Sequence, residues 1–141
     1  MNRKGSAVWE GGFKDGRGTI STESGVLSST PYSASRRFGE EKGTNPEELI
    51  GAAHASCFSM ALSLILGEAG LTPERIETTS TVSLEKDGEG FSVTKVHLDV
   101  QVKIPGADQA KFEEAAQKAK DGCPISKLLK AEITMNARLQ S

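Results

Sequence analysis

The run "NPEELIGAAHASCFSMALSLILGEAG", residues 45–70, constrains the fold more than any other part of the chain. Asn45 is a good N-cap and Pro46 suits the first helical position, while Glu47 and Glu48 lie where the positive end of a helix dipole favours carboxylates. Leu49, Ile50, Ala53, Cys57, Met60, Ala61 and Leu64 recur at helical spacing, and Leu62, Ile65 and Leu66 make the second half apolar on nearly every side. Gly67 and Gly70 close the helix, with Pro73 beyond them. The pattern predicts a helix over 45–66, central and buried.

What flanks this helix has a different period. The first 38 residues carry short β-prone pieces, "SAVWE", "GTIST" and "PYSASRRF", separated by glycines, and predict a meander of three strands. Gly12, Gly16 and Gly18 lie between strand signals and lack the lysine-serine ending of a phosphate loop, so they read as a hairpin turn. Residues 77–104 alternate around a "DGEG" turn and predict a hairpin of two long strands. Phe112, Ala115, Ala116 and Ala119 predict a second helix over 107–121; "PISKLLKA" adds a short third helix and "EITMNARL" a last strand. Strands, helix, strands, helices, strand, with no repeat or linker, make one α+β domain over 1–141.

Charge removes whole classes of function. Seventeen Lys and Arg against nineteen Asp and Glu give a net charge of −2 and no basic stripe, so neither nucleic acid nor an anionic membrane is an expected partner. No apolar run follows the basic residues of "MNRKGSAVWE" as a secretory signal requires. The longest apolar run, Cys57 to Leu66, is broken by Ser59 and Ser63 and is too short to cross a bilayer. A soluble, cytoplasmic protein is expected. In that compartment two cysteines do not make a structural framework, and any Cys57–Cys123 disulfide is transient and chemical.

Thiol chemistry needs the thiolate, so the surroundings of each sulfur matter. Cys123 precedes Pro124 and reads as the N-cap of the short helix, a position that lowers a thiol pKa. Cys57 sits mid-helix among Ala, Phe and Met, where desolvation favours the inert thiol unless a cation reaches it. By this argument Cys123 is the more acidic thiol. Arg36 and Arg37, read at a strand end before the loop into the helix, are the candidate cations, and surface arginine is their bland explanation. His54, three residues before Cys57 on the same face, allows a Cys–His pair, against a packed histidine satisfied by backbone. A metal set of His54, Cys57, His97 and Cys123 matches no recurrent zinc spacing. Glu47 precedes Cys57 by ten residues, about 15 Å along a straight helix, so it serves Cys57 only through a bend, an arginine or a second copy of the chain; otherwise it is a helix-start carboxylate.

Taken together, "EKGTNPEELIGAAHASCFSMALSLILGEAG", "KAKDGCPISKLLKAEIT", "STESGVLSSTPYS" and "RRF", in this order, resemble the OsmC/Ohr family of thiol-dependent hydroperoxide reductases along the whole chain. The resemblance implies an interwoven homodimer, strands wrapped around central helices, with active sites at the interface. It makes Cys57 the peroxidatic cysteine and Cys123 the resolving one, against the acidity argument. It selects Arg37, directly before Phe38, as the family's arginine and Glu47 as its glutamate. Organic hydroperoxides are the implied substrates and hydrogen peroxide a weaker one. An external dithiol is the implied reductant, with lipoyl groups on proteins as its source, and no metal, haem or flavin is implied. The competing class is a non-enzymatic redox sensor or hydrophobic-ligand binder, which oxidises once where an enzyme turns over.

Overall fold

The computed structural model describes residues 1–141, and the chain falls into two compact units, residues 1–49 and 50–141. The first unit is a meander: β1 (Gly5–Glu10), β2 (Arg17–Thr22) and β3 (Thr30–Tyr32) pair antiparallel in that order. The glycines between β1 and β2 form a hairpin loop, as the sequence predicts. Gly18 faces the Trp9 and Tyr32 rings, whose centroids are 5.5 Å apart, and a Cβ at that position would drive into both rings. Glycine here leaves room for an aromatic pair that pins the register of three strands.

The third strand is shorter than the sequence reading. It ends at Tyr32, and "ASRRF" forms the helix α1 (Ala34–Phe38), so Arg36 and Arg37 are helical and not at a strand end. Ser33 causes the switch by capping α1, its Oγ accepting the Arg36 amide at 3.3 Å. Successive residues of a helix point about 100° apart, which sends the two arginines to different partners.

Helix α2 (Pro46–Glu68) begins with the expected cap: Asn45 Oδ1 accepts the Glu48 amide at 2.8 Å. It runs two residues beyond the expected end, and at 23 residues it is long and apolar enough to cross a membrane by length and composition. Its apolar run alone, as read from the sequence, understated that length. One stripe of the helix packs within the protein, where Gly51, His54, Phe58, Leu62 and Leu66 are buried. The expectation of burial on most sides is not met within one chain, because Met60 and Leu64, on the other side of α2, are 72% and 66% exposed.

In the second unit α2 packs on a sheet of β4 (Arg75–Asp87), β5 (Gly90–Lys103) and β6 (Glu132–Gln140), with β5 in the centre. β4 and β5 are the predicted hairpin, carrying one register irregularity at Ser83/Leu84. Alternation along β5 buries Val96, Leu98, Val100 and Val102 on one face. Against them lie Phe58, Leu62 and Leu66 of α2 and Phe112, Ala115, Ala116 and Ala119 of α3 (Gln109–Gly122). Each fully buried Val, Leu or Phe side chain contributes roughly 1.5–3 kcal/mol, so this seam dominates the stability of the unit. The small alanines bring α3 close. Close approach also explains Gly51, where a Cβ would stand 3.2 Å from the Ser80 carbonyl oxygen. β6 pairs parallel to β5, and the crossover between them is α3 followed by α4 (Pro124–Leu128).

Candidate active site

Arg37 and Glu47 meet within the first unit. Arg37 Nη2 donates to Glu47 Oε1 at 2.6 Å, and Nε donates to both carboxylate oxygens at 3.1 and 3.2 Å. Glu47 is held at the first turn of α2, where the helix dipole also favours its charge, and its side chain is only 12% exposed. A fork-like pair of this kind fixes the guanidinium plane rather than merely balancing charge. Arg36 is committed elsewhere: it pairs with Glu41 at 2.9 Å and donates to the Lys42 carbonyl at 3.1 Å, closing the loop after α1. The neighbours are therefore distinct in role, one a loop tie and one an oriented cation.

Arg37 is the charged side chain in the lining of an apolar pocket of about 310 Å³, formed mainly by Trp9, Phe13, Tyr32, Phe38 and Pro46. The Arg37 guanidinium carbon lies 5.2 Å from the Phe38 ring centre, and Phe13 and Phe38 pack at 6.1 Å. An apolar cleft with one oriented cation suits an organic molecule carrying a polar, electron-rich end. The pocket's aromatics come from the β1–β2 hairpin, β3 and α1, and their one signal in the sequence is that four of the chain's seven aromatic residues, Trp9, Phe13, Tyr32 and Phe38, fall within the first 38.

The two thiols meet within the second unit. Cys57 is partly exposed on α2, and Cys123 is buried at the junction of α3 and α4. Burial pushes the Cys57 thiol up, and the adjacent Cys123 thiol adds to the rise, against a hydrogen bond from the Ile125 amide. Burial also opposes ionisation of Cys123, but hydrogen bonds from the Ser126 side chain and amide, from Cys57 and from the Ile125 amide outweigh it and bring that thiol below its usual value. As the sequence argument expected, Cys123 caps α4, its sulfur accepting the Ser126 amide at 3.3 Å with Pro124 at the helix start. Cys123 is the more acidic of the pair within this unit, as that argument also had it.

His54 does not pair with Cys57. It is fully buried, and its Nε2 lies 2.7 Å from Ser126 Oγ, which in turn is 3.4 Å from Cys123 Sγ. It is a packed histidine, yet its partner is a side chain and not the expected backbone. Burial lowers its pKa and keeps it neutral. Ser126 was missed in the sequence, although its place three residues after an N-cap is where a cap receives an amide. His97 is exposed on β5 and bonded to Thr134 Oγ1 at 2.6 Å, and no three of the His, Cys, Asp and Glu side chains group as a metal site.

The model of the family described as OsmC-like protein matches residues 39–138. Peroxiredoxin OsmC of Escherichia coli is 60% identical over 141 residues, covering 100% of this chain and 99% of that protein. The chain belongs to the OsmC-like family. The organic hydroperoxide resistance protein OhrA of Bacillus subtilis is 39% identical over 93 residues, 66% of this chain and 64% of that protein. Among solved structures, an organic hydroperoxide resistance protein OsmC from Legionella pneumophila superposes with a TM-score of 0.69 at 26% identity, covering 98% of this chain and 97% of that one. The mixed helix and sheet architecture expected from the residue pattern is thus that of OsmC-like proteins.

Proposed function

We propose that this OsmC-like chain is a cysteine-based peroxidase of oxidative and osmotic stress defence, reducing organic hydroperoxides to alcohols and hydrogen peroxide more weakly. The observation that carries it is the meeting of Cys57 with Cys123 in one unit of a chain 60% identical to a peroxiredoxin OsmC. Cys57, as thiolate, attacks the distal peroxide oxygen: an S–O bond forms, the O–O bond breaks, and the alkoxide takes a proton and leaves as the alcohol. Cys123 then attacks the Cys57 sulfenic acid, an S–S bond forms, and the hydroxyl leaves as water. An external dithiol, with lipoyl groups on proteins as its source, restores both thiols, and no prosthetic group takes part. The reducing cytoplasm is the compartment this cycle suits.

In this scheme Arg37 supplies the cation that Cys57 lacks within its own unit, and Glu47 fixes the guanidinium. Glu47 and Cys57 stand ten residues apart on one helix, about 15 Å, so a second copy of the chain brings its Cys57 to the Arg37–Glu47 pair. The exposed Met60 and Leu64 of α2 support a second copy at this helix, and the whole of residues 1–141 acts as one domain of an interwoven homodimer. Sedimentation at micromolar concentration should give about twice the 14.9 kDa chain mass; a stable, active monomer would overturn the shared site.

The function itself is tested by steady-state consumption of a bulky organic hydroperoxide and of hydrogen peroxide, each with dihydrolipoamide and with glutathione. Many turnovers are expected with the organic peroxide and the dithiol. A single oxidation without turnover would mark a sensor instead.

A further inference from the structure

We propose that Ser126, held in place by His54, is the hydrogen-bond donor that stabilises the Cys123 thiolate, making Cys123 the nucleophile that closes the disulfide and the leaving group when a dithiol opens it. This rests on the two-thiol cycle above and adds to it two residues that the cycle does not use. The observations are three. Ser126 Oγ lies within reach of both Cys123 Sγ, at 3.4 Å, and His54 Nε2, at 2.7 Å. All three residues are buried. The remaining nitrogen of His54, Nδ1, has no partner.

That unpartnered nitrogen selects the direction of the chain of bonds. An orphaned lone pair is better tolerated in a protein interior than an orphaned N–H, so the buried neutral imidazole carries its proton on Nε2. Nε2–H then donates to Ser126 Oγ, and the serine O–H turns toward Sγ. A neutral histidine suffices for this, in keeping with the burial that holds His54 uncharged. Ser126 thus touches a reacting atom, and His54 is a positioning residue acting through it.

Two steps depend on the arrangement. In closure, Cys123 gives up its proton, attacks the Cys57 sulfenic sulfur, and the departing hydroxide takes a proton to become water. In reduction, one thiolate of the dithiol attacks the Cys57 sulfur, the S–S bond breaks, and Cys123 departs as thiolate. The second thiol of the reductant then displaces Cys57, and the reductant leaves as its own disulfide, two electrons having passed to the protein. Access sets the attack on Cys57, which is partly exposed where Cys123 is buried, and the Ser126 bond makes the departing Cys123 thiolate a better leaving group. Cys57 of α2 is the titratable group in contact with Cys123, and Lys120 and Asp121 of α3, which pair at 3.9 Å, line a cavity together with Ser126.

The test follows the ultraviolet absorbance of the Cys123 thiolate against pH in a Cys57→Ser background, and the rate of disulfide closure after one equivalent of peroxide with both cysteines present. Ser126→Ala should raise the half-ionisation point by about one unit and slow closure roughly three- to tenfold, the greater nucleophilicity of a more basic thiolate offsetting part of the loss. Ser126→Thr, which keeps the hydroxyl, should restore both. His54→Leu should reproduce the defect with Ser126 in place, and His54→Gln, whose amide still donates, should relieve it. With a monothiol in place of the dithiol, the trapped mixed disulfide should be on Cys57. An unshifted titration in Ser126→Ala and His54→Leu, or a mixed disulfide on Cys123, overturns the proposal. Dimedone labelling of Cys57 in Cys123→Ser after one equivalent of peroxide reports separately on the peroxidase cycle, so failure of one is distinguishable from failure of the other.

Discussion

Replacing Cys57 by serine will bring peroxide consumption to the uncatalysed background, whereas Cys123→Ser will react once and then stop. The difference follows from the order of events and not from acidity. A serine at 57 removes the atom that attacks the peroxide, and Cys123, 1% exposed, is left with no approach for a bulky substrate. A serine at 123 leaves the attack intact but removes the sulfur that would condense with the sulfenic acid, which then persists and is trapped by dimedone. The wild type should instead give one disulfide within the chain, read by mass spectrometry of non-reduced peptides as the Cys57 peptide linked to the Cys123 peptide. Retained first turnover in Cys57→Ser together with its loss in Cys123→Ser would reverse the roles and restore the order that acidity alone suggested.

Arg37→Ala is expected to raise the pH of half-maximal Cys57 alkylation by about 1–3 units, the range that a nearby opposite charge commands. Each unit removes about nine-tenths of the thiolate at a fixed pH below the pKa, so the peroxide reaction near neutrality should slow by roughly ten- to a thousandfold. Arg36→Ala should leave the alkylation profile in place, because its guanidinium is spent on Glu41 and the Lys42 carbonyl. Glu47→Gln separates charge from orientation: the amide retains one acceptor but cannot receive the fork of Nε and Nη2. It should therefore lower the rate by less than Arg37→Ala and leave the guanidinium less ordered. Equal effects at Arg36 and Arg37 would remove the assignment.

The residue pattern by itself determined the elements whose cause is local. Asn45, Pro46 and the two glutamates start α2, Cys123 and Pro124 start α4, and alternation from Val96 to Val102 writes most of β5, because caps and periods act over a few residues. The Cys123 context was equally legible, since an N-cap position and the amide it accepts lie within its own short helix. Short-range competition already blurred "PYSASRRF", where β-prone residues gave way to a serine cap and one helical turn. What only the tertiary structure decided was long-range. The parallel pairing of β6 with β5 brings together segments separated by two helices, and no local period records it. The fork of Arg37 onto Glu47 and the bond between His54 and Ser126 join side chains whose own neighbours in sequence give no reason to meet. Packing likewise chose which face of α2 lies against β5 and left Met60 and Leu64 open, because an apolar helix without a polar side carries no instruction about which of its faces to bury.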